Sequence, residues 1–248
     1  MAHMSAFPLQ RDIEYPESDG QPMAETDVHR NEMSYLIGAL ALRYQDVPDI
    51  YVSGNLFFYF VQGDPRAVVA PDVFLVRGVP KRERRIYKLW EEGRVPSLVI
   101  ELTSDSTQDD DIDKKKLIYQ RLGVEEYFLH DPFQDYLDPA LQGFRLVSGR
   151  YKPLHAGPDG SLFSLSTGLR LCTEGKRLRL VDAATNEPLL WGEELDAARK
   201  REAVARELAE DRANRAEDRA NREAAARQSL EEELNRLRRE IEEKRSSE

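Results

Sequence analysis

The sequence predicts an α/β domain with a long helix attached at its C-terminal end. Before residue 193 the pattern of apolar residues gives the order helix, three strands, helix, strand. Short alternating segments then follow over 143–188, separated by Gly, Pro and Asn, which is typical of β-hairpins packed beside a core. Residues 193–248 contain no Pro or Gly and are rich in Ala, Arg and Glu, a composition typical of a long helix. We therefore expect an N-terminal arm over 1–24, an α/β domain over 25–192 and a helical extension over 193–248.

The composition excludes several classes of protein. The chain has 248 residues, with 36 Lys and Arg against 46 Asp and Glu, and therefore a net charge of −10. A net negative charge disfavours electrostatic binding of nucleic acid over a broad protein surface, but it allows binding at a local basic patch. Cys172 is the single cysteine, which excludes a disulfide framework and a thiolate metal cluster. No run of about 18 apolar residues and no signal-peptide core occur, so we expect a cytoplasmic protein outside the membrane. Residues 1–3 are typical of a vector-derived tag.

The first half of the domain is predicted to contain one helix and two strands. Thr26 or Asp27 can cap a helix that runs to about residue 44. Residues 50–61 are rich in β-branched and aromatic side chains, which predicts a strand. A Gln-Gly-Asp-Pro turn then leads into a second strand over 67–76.

The second half of the core alternates between strand and helix. Residues 97–103, Ser-Leu-Val-Ile-Glu-Leu-Thr, predict a buried strand. Residues 111–122 predict a helix with Gly123 at its C-terminal cap. A further strand is expected over 124–130, where an Asp-Pro pair ends it.

The helical extension carries a heptad-like repeat. Its large apolar residues are spaced by 4, 3 and 4 positions, at Leu230, Leu234, Leu237 and Ile241. Upstream alanines have the same spacing and register, at Ala209, Ala213, Ala216 and Ala220. A 3.5-residue repeat winds helices into a left-handed coiled coil, so we expect a homo-oligomer formed through this helix. The alternative is a single solvated helix stabilised by Glu–Arg pairs four residues apart.

Two carboxylates inside apolar strands indicate a metal site. Asp72 lies in the segment Ala-Val-Val-Ala-Pro-Asp-Val-Phe-Leu-Val, and Glu101 lies in Ser-Leu-Val-Ile-Glu-Leu-Thr. Buried carboxylates are costly unless they are paired or bind a metal, so two on neighbouring strands predict an oxygen-liganded Mg²⁺ or Mn²⁺. Thr103 points to the same face as Glu101, and the cluster Lys114–Lys116 opens the next helix. Metal, lysine and carboxylates together suit phosphodiester hydrolysis.

Each of these residues has a second interpretation. Asp72 could be a turn residue at the end of a strand, and Glu101 could be the partner of a buried arginine. The three lysines could form an ordinary solvated helix face. His29, at the start of the first helix, is more typical of a structural histidine than of a ligand.

A basic cluster lies in the connection between the two carboxylate-bearing strands. Its members are Lys81, Arg82, Arg84, Arg85 and Lys88, and the first four are the candidate contacts to nucleic acid. Such a cluster could clamp a nucleic-acid backbone, and the alternative is a solvated loop.

The order of elements and these residues together resemble the PD-(D/E)XK restriction-endonuclease-like superfamily. More closely, the chain resembles the Uma-type branch, a bacterial family described as restriction endonucleases. The resemblance spans about residues 25–190 and implies an αβββαβ core around a mixed sheet. The matching segments are APDVFLV at 70–76, YKLWEEG at 87–93, IELTSDST at 100–107, YQRLGVEEYFLHDP at 119–132 and LQGFRL at 141–146.

The resemblance implies a role for individual residues. Asp72 and Glu101 correspond to the metal-binding acids of the superfamily. The superfamily's catalytic lysine lies two residues after that Glu, where this chain has Thr103. In the Uma-type branch a lysine on the next helix, four residues before a Tyr, takes its place, and this position is Lys115. The first helix often contributes a third acid, for which Glu32 is the candidate.

These features predict a Mg²⁺-dependent endonuclease that acts on nucleic acid, with DNA as the expected substrate. Relatives usually carry Pro-Asp before the Glu strand, where this chain has Pro96–Ser97, and the metal site with Asp72 is spared by this change. The rival interpretation is a non-catalytic scaffold or binding protein of the same fold, assembled through its coiled coil. A third is a metal-dependent hydrolase of smaller phosphate esters.

Overall fold

The computed structural model describes residues 13–18, 20, 26–103 and 110–245, with the side chains of 110–112 and 240–245 left aside. The chain divides into two compact units with a boundary after Gly192. The elements of the first unit are α1 (Asp27–Arg43), β1 (Ile50–Ser53), β2 (Phe58–Tyr59), β3 (Val68–Val69), β4 (Val73–Arg77), β5 (Tyr87–Lys88), α2 (Leu89–Glu92), β6 (Leu98–Leu102), a π-helical segment (Asp110–Lys115) that continues as α3 (Lys116–Leu122), β7 (Glu126–His130), β8 (Leu141–Val147), β9 (Arg150–Pro153), β10 (Leu162–Ser164), β11 (Leu169–Glu174) and β12 (Arg177–Asp182).

A mixed six-stranded sheet forms the centre of the first unit, within the described residues. Its strand order is β1-β4-β6-β7-β8-β9, and β6 and β7 are parallel while the other neighbours are antiparallel. Two smaller sheets accompany it, with the orders β3-β2-β5 and β10-β11-β12. The mixed α/β architecture therefore agrees with the sequence-based expectation.

Each of the two long strands predicted in the first half is interrupted, giving β1 and β2 from the first and β3 and β4 from the second. At the break Asn55 has a left-handed conformation with φ 48°, and its N–H donates to the Pro71 carbonyl at 2.8 Å. Gly54 lies directly against the Asp72 carbonyl, where a Cβ would have no room. This close approach bends both strands and fixes Asp72 at the start of β4.

The helix expected from residue 111 begins one residue earlier and opens as a π-helical segment before it becomes α3. Gly123, with φ 88°, ends it, because its N–H donates to carbonyls of the last turn of α3. The following strand, β7, begins at Glu126 rather than at residue 124. The strands before and after this helix, β6 and β7, are therefore parallel neighbours in the central sheet.

The central sheet is buried on both faces, because successive residues of a strand point to opposite sides. On β4, Val73 and Leu75 join a core that includes α1 and the sheet β10-β11-β12. Phe74 and Val76 face the other side, where the aromatic residues around Tyr119 pack. The ends of these buried strands are therefore the positions at which polar side chains can converge.

A buried carboxylate joins the central sheet to the turn between β10 and β11. Glu126 is 1% exposed and accepts hydrogen bonds from the hydroxyls of Ser164 at 2.6 Å and Ser166 at 2.7 Å. It also accepts from two backbone N–H groups of this turn and from Arg145 Nε at 2.9 Å. Burial acts to raise the pKa of Glu126, but these donors outweigh it and hold the pKa below its usual value.

The second unit consists of one helix, α4 (Glu193–Arg245), of 53 residues. From residue 199 to residue 239 its side chains are exposed, including Leu230, Leu234 and Leu237, while the side chain of Ile241 lies outside the described residues. Arg219 and Glu223 form an ion pair four residues apart at 3.1 Å. In the part of the chain that the structure describes, no helix has the length and apolar character needed to cross a bilayer.

Candidate active site

Two carboxylates converge at one end of the central sheet. Asp72 immediately precedes β4, and Glu101 lies on the antiparallel neighbour β6, where Val73 pairs with Ile100. The Asp72 N–H points to Glu101 Oε2 at 3.4 Å, and Asp72 Oδ2 accepts from Leu102 N at 2.8 Å. Glu101 is 0% exposed, so an ionised Glu101 depends on the groups around it.

The first helix brings a histidine to this carboxylate pair. His29 Nε2 lies 3.3 Å from Asp72 Oδ1, and both side chains are largely buried. The hydroxyl of Thr26 caps the helix by accepting from His29 N at 3.2 Å, which fixes the first turn of α1. Burial acts to raise the pKa of Asp72, but the hydrogen bond with His29 and the charge of Lys115 outweigh it and lower the pKa below its usual value.

The helix after β6 supplies a lysine and a tyrosine to Glu101. Lys115 Nζ lies 2.9 Å from Glu101 Oε2, and the Tyr119 hydroxyl donates to Glu101 Oε1 at 2.6 Å. Four residues separate them, so they lie on one side of the helix. Complete burial, together with the charge of Glu101, raises the pKa of Tyr119 well above its usual value, which keeps the hydroxyl protonated as a donor.

The two neighbouring lysines differ from Lys115 in their surroundings. Lys114 is exposed. Lys116 Nζ lies 3.4 Å from the centroid of the Phe144 ring, and burial lowers its pKa. Lys115 is therefore distinguished from its neighbours by its contact with Glu101.

Thr103 and Glu32 make contacts away from the carboxylate pair. Thr103 is buried and bonded to β7, since its N–H donates to the His130 carbonyl at 2.9 Å. Glu32, one turn beyond His29 on α1, accepts from Leu178 N at 2.6 Å and so faces β12. Burial raises the pKa of Glu32 to about 7. The structure thus places His29, rather than Glu32, as the α1 residue in contact with Asp72.

The basic cluster divides into anchored and surface residues. Arg84 is 3% exposed at its side chain, pairs with Glu92 at 2.8 Å and stacks 4.1 Å from the centroid of the Tyr51 ring. Lys81 Nζ donates to the carbonyl of Gln45, just after α1, at 2.9 Å. The remaining arginines, Arg82 and Arg85, have side chains that are 61% and 83% exposed, and they pair with Glu92 and Glu17.

Two contributors to the site, His29 and Tyr119, were not predicted as site residues from the sequence. His29 sits at a helix start, where structural histidines are common, and only the fold brings it to Asp72. Tyr119 could have been predicted from the sequence, because it follows Lys115 by four residues. This spacing places two side chains on one face of a helix.

The donor set fits a small divalent cation. Asp72 and Glu101 offer hard carboxylate oxygens on one side, and Mg²⁺ is commonly held by one or two carboxylates with water completing its shell. Among the described residues no group of three or more His, Cys, Asp or Glu side chains is arranged to hold a metal ion. The two carboxylates would therefore hold the ion with solvent or substrate oxygens as the other ligands.

The mixed α/β fold thus brings two carboxylates and a lysine together at one end of the central sheet. The chain belongs to the Uma2 family, whose description is "Putative restriction endonuclease" and whose model matches residues 2–176. A crystal structure titled as "a putative nuclease belonging to DUF820 from Anabaena variabilis ATCC 29413" is 18% identical with a TM-score of 0.43, covering 58% of this chain and 75% of that one. No curated protein matches the chain significantly.

Proposed function

We propose that the protein is a Mg²⁺- or Mn²⁺-dependent endonuclease that hydrolyses phosphodiester bonds in nucleic acid, with DNA as the substrate. The observation that supports this most directly is the contact between Lys115 Nζ and Glu101 Oε2, beside Asp72. It brings two metal-binding acids and one cation together from three separate segments of the chain. Membership of a family described as restriction endonucleases agrees with this chemistry.

In this proposal some residues of the site bind the metal ion and others stabilise negative charge on the substrate. Asp72 and Glu101 hold the ion, which, when bound, supplies Lewis acidity and an activated water. Lys115 carries the positive charge that stabilises the phosphate oxygens as negative charge develops on them. His29 keeps Asp72 ionised and oriented through the Nε2–Oδ1 contact. Thr103 supports β6 through its bond to β7.

The experiment compares Lys115→Met with the matched control Lys114→Met on the full chain. We expect wild type and Lys114→Met to cleave DNA when Mg²⁺ or Mn²⁺ is added. Lys115→Met should lose about 10²-fold or more in rate, because removing one electrostatic stabiliser of the transition state has effects of this size. Glu101→Gln should lose both metal binding and cleavage.

Two outcomes would contradict the proposal. The absence of metal-dependent cleavage of DNA and RNA by the wild type would favour a non-catalytic binding protein of the same fold. Equal rates for Lys115→Met and wild type would exclude Lys115 from catalysis.

We further propose that the chain forms a homodimer through α4. The support is the seam of exposed leucines at 4-3 spacing, Leu230, Leu234 and Leu237, since apolar residues with this spacing are buried when two helices pair. A dimer would place two sites in one particle, which would allow both strands to be cut in one encounter.

A further inference from the structure

The two carboxylate oxygens of Glu101 face different partners. Oε1 accepts the hydrogen bond from the Tyr119 hydroxyl at 2.6 Å. Oε2 faces Lys115 Nζ at 2.9 Å and the backbone N–H of Asp72 at 3.4 Å. Oε2 is therefore the oxygen on the side of the second carboxylate, and Oε1 points into the protein towards α3.

Tyr119 is held firmly in this position. Its side chain is 1% exposed, and its ring packs against Tyr127 with the ring centroids 5.4 Å apart. Its own carbonyl accepts from Gly123 N and Val124 N at the end of α3, which fixes the backbone below the ring. The hydroxyl is thus a preorganised donor that stays on Oε1 while Oε2 faces the other carboxylate.

This arrangement restricts how a cation can use Glu101. Ca²⁺ takes six to eight oxygens at longer distances and often binds both oxygens of one carboxylate, whereas Mg²⁺ takes single oxygens in an octahedral shell. An ion that bound both oxygens of Glu101 would compete with the Tyr119 hydroxyl for Oε1. A displaced hydroxyl would be buried without this acceptor, which is unfavourable.

We propose that Tyr119 is a specificity-determining residue that occupies Oε1 of Glu101, directs the metal to Oε2, which it shares with Lys115, and thereby favours Mg²⁺ and Mn²⁺ over Ca²⁺. The inference rests on the proposed function in one respect, namely that Asp72 and Glu101 hold the ion. Tyr119 acts through Glu101 and is a positioning residue for that carboxylate.

The test is the affinity of the full chain for Mg²⁺, Mn²⁺ and Ca²⁺, each titrated alone by calorimetry. Tyr119→Phe removes only the hydroxyl. Tyr151→Phe is the matched control, because it removes another hydroxyl from the same aromatic cluster, one that donates to the Val124 carbonyl at 3.1 Å. We expect Tyr119→Phe to raise the affinity for Ca²⁺ relative to Mg²⁺ about tenfold or more, and Tyr151→Phe to keep the wild-type ratio.

The outcomes separate the two proposals. Wild type that binds neither Mg²⁺ nor Mn²⁺ would overturn the proposed function, and this inference with it. Wild type that binds Mg²⁺, with the same Ca²⁺ to Mg²⁺ ratio in Tyr119→Phe, would overturn the inference alone.

A structure of the wild type crystallised with Mn²⁺ tests the same inference without a substitution that could impair folding. The ion is expected on Glu101 Oε2, with the Tyr119 hydroxyl still donating to Oε1. An ion bound to both oxygens of Glu101 would overturn the inference.

Discussion

Glu32 illustrates how strongly burial acts on a single carboxyl group in this protein. It lies under the sheet β10-β11-β12, where Leu178 N is its hydrogen-bond donor and Arg177 Nε is 4.0 Å away. Burial outweighs both contacts and raises the pKa from 4.5 to about 7. In the unfolded chain the group ionises at the lower value, so the folded state holds its proton over a pH range in which the unfolded state has lost it.

The stability of the protein should therefore fall as pH rises from 4.5 to about 7 through this group. Below that range Glu32 is protonated in both states, and above it the cost is constant at up to about 3 kcal/mol. Glu32→Gln keeps an acceptor for Leu178 N and has no proton to lose, so it should remove this part of the decline. Denaturant unfolding measured at several pH values tests this, with the exposed Glu91→Gln as the control. Parallel profiles for wild type and Glu32→Gln would refute it.

Arg82 and Arg85 are the arginines of the basic cluster that can contact a nucleic-acid backbone, because Arg84 is buried against Glu92 and the Lys81 ammonium is bonded to the Gln45 carbonyl. Replacing both with Ala should weaken DNA binding and reduce the slope of log affinity against log salt by about one unit for each phosphate that is no longer neutralised. The control is Arg66→Ala, which removes an exposed arginine that pairs with Asp64 outside the cluster. A salt slope that equals that of wild type would place both arginines outside the interface.

At the scale of elements, the turn between β10 and β11 depends on one carboxylate from another sheet. We expect stability to be most sensitive to substitution of Glu126 among the residues of this contact. Breaking a buried ion pair leaves the remaining charged partner without compensation. Glu126→Gln should lower the free energy of unfolding by roughly 3 kcal/mol. Glu125→Gln, at the exposed neighbouring position, should change it by no more than about 0.5 kcal/mol. Urea denaturation measures both, and equal midpoints for the two variants would contradict this account.

The elements also show which parts of the fold could be predicted from the sequence. The helix that begins at Asp27 and the buried strand around Glu101 carry strong local signals, a cap and an unbroken apolar run, and both were predicted closely. The break at Gly54 and Asn55 was not predicted, because it depends on the approach of the Asp72 carbonyl from a distant segment. In the site, the convergence of Asp72, Glu101 and Lys115 was anticipated from chemistry and resemblance. The contact of His29 with Asp72 is a tertiary one that no local pattern encodes.

At the scale of the whole molecule, the proposed homodimer depends on the leucine seam of α4. Leu230, Leu234 and Leu237 changed together to Ala should abolish self-association while the helix is kept, because Ala favours helix at least as well as Leu. Val204→Ala with Leu208→Ala is the matched control, since these residues are also exposed and apolar but lie outside the heptad seam. Light scattering on the full chain is expected to give a dimer for wild type and control, and a monomer for the triple variant. The same mass for all three would exclude pairing through this seam.

The candidate site draws on residues from His29 to Tyr119, and this spread matters for a chain that is still on the ribosome. When β6 has emerged, Glu101 has neither the ammonium group of Lys115 nor the hydroxyl of Tyr119, which follow later. At about 5–20 residues per second, the delay before both can dock is on the order of seconds. On the proposed function, a nascent polypeptide stays harmless to the nucleic acid around it until the helix after β6 has left the exit tunnel and closed on the sheet.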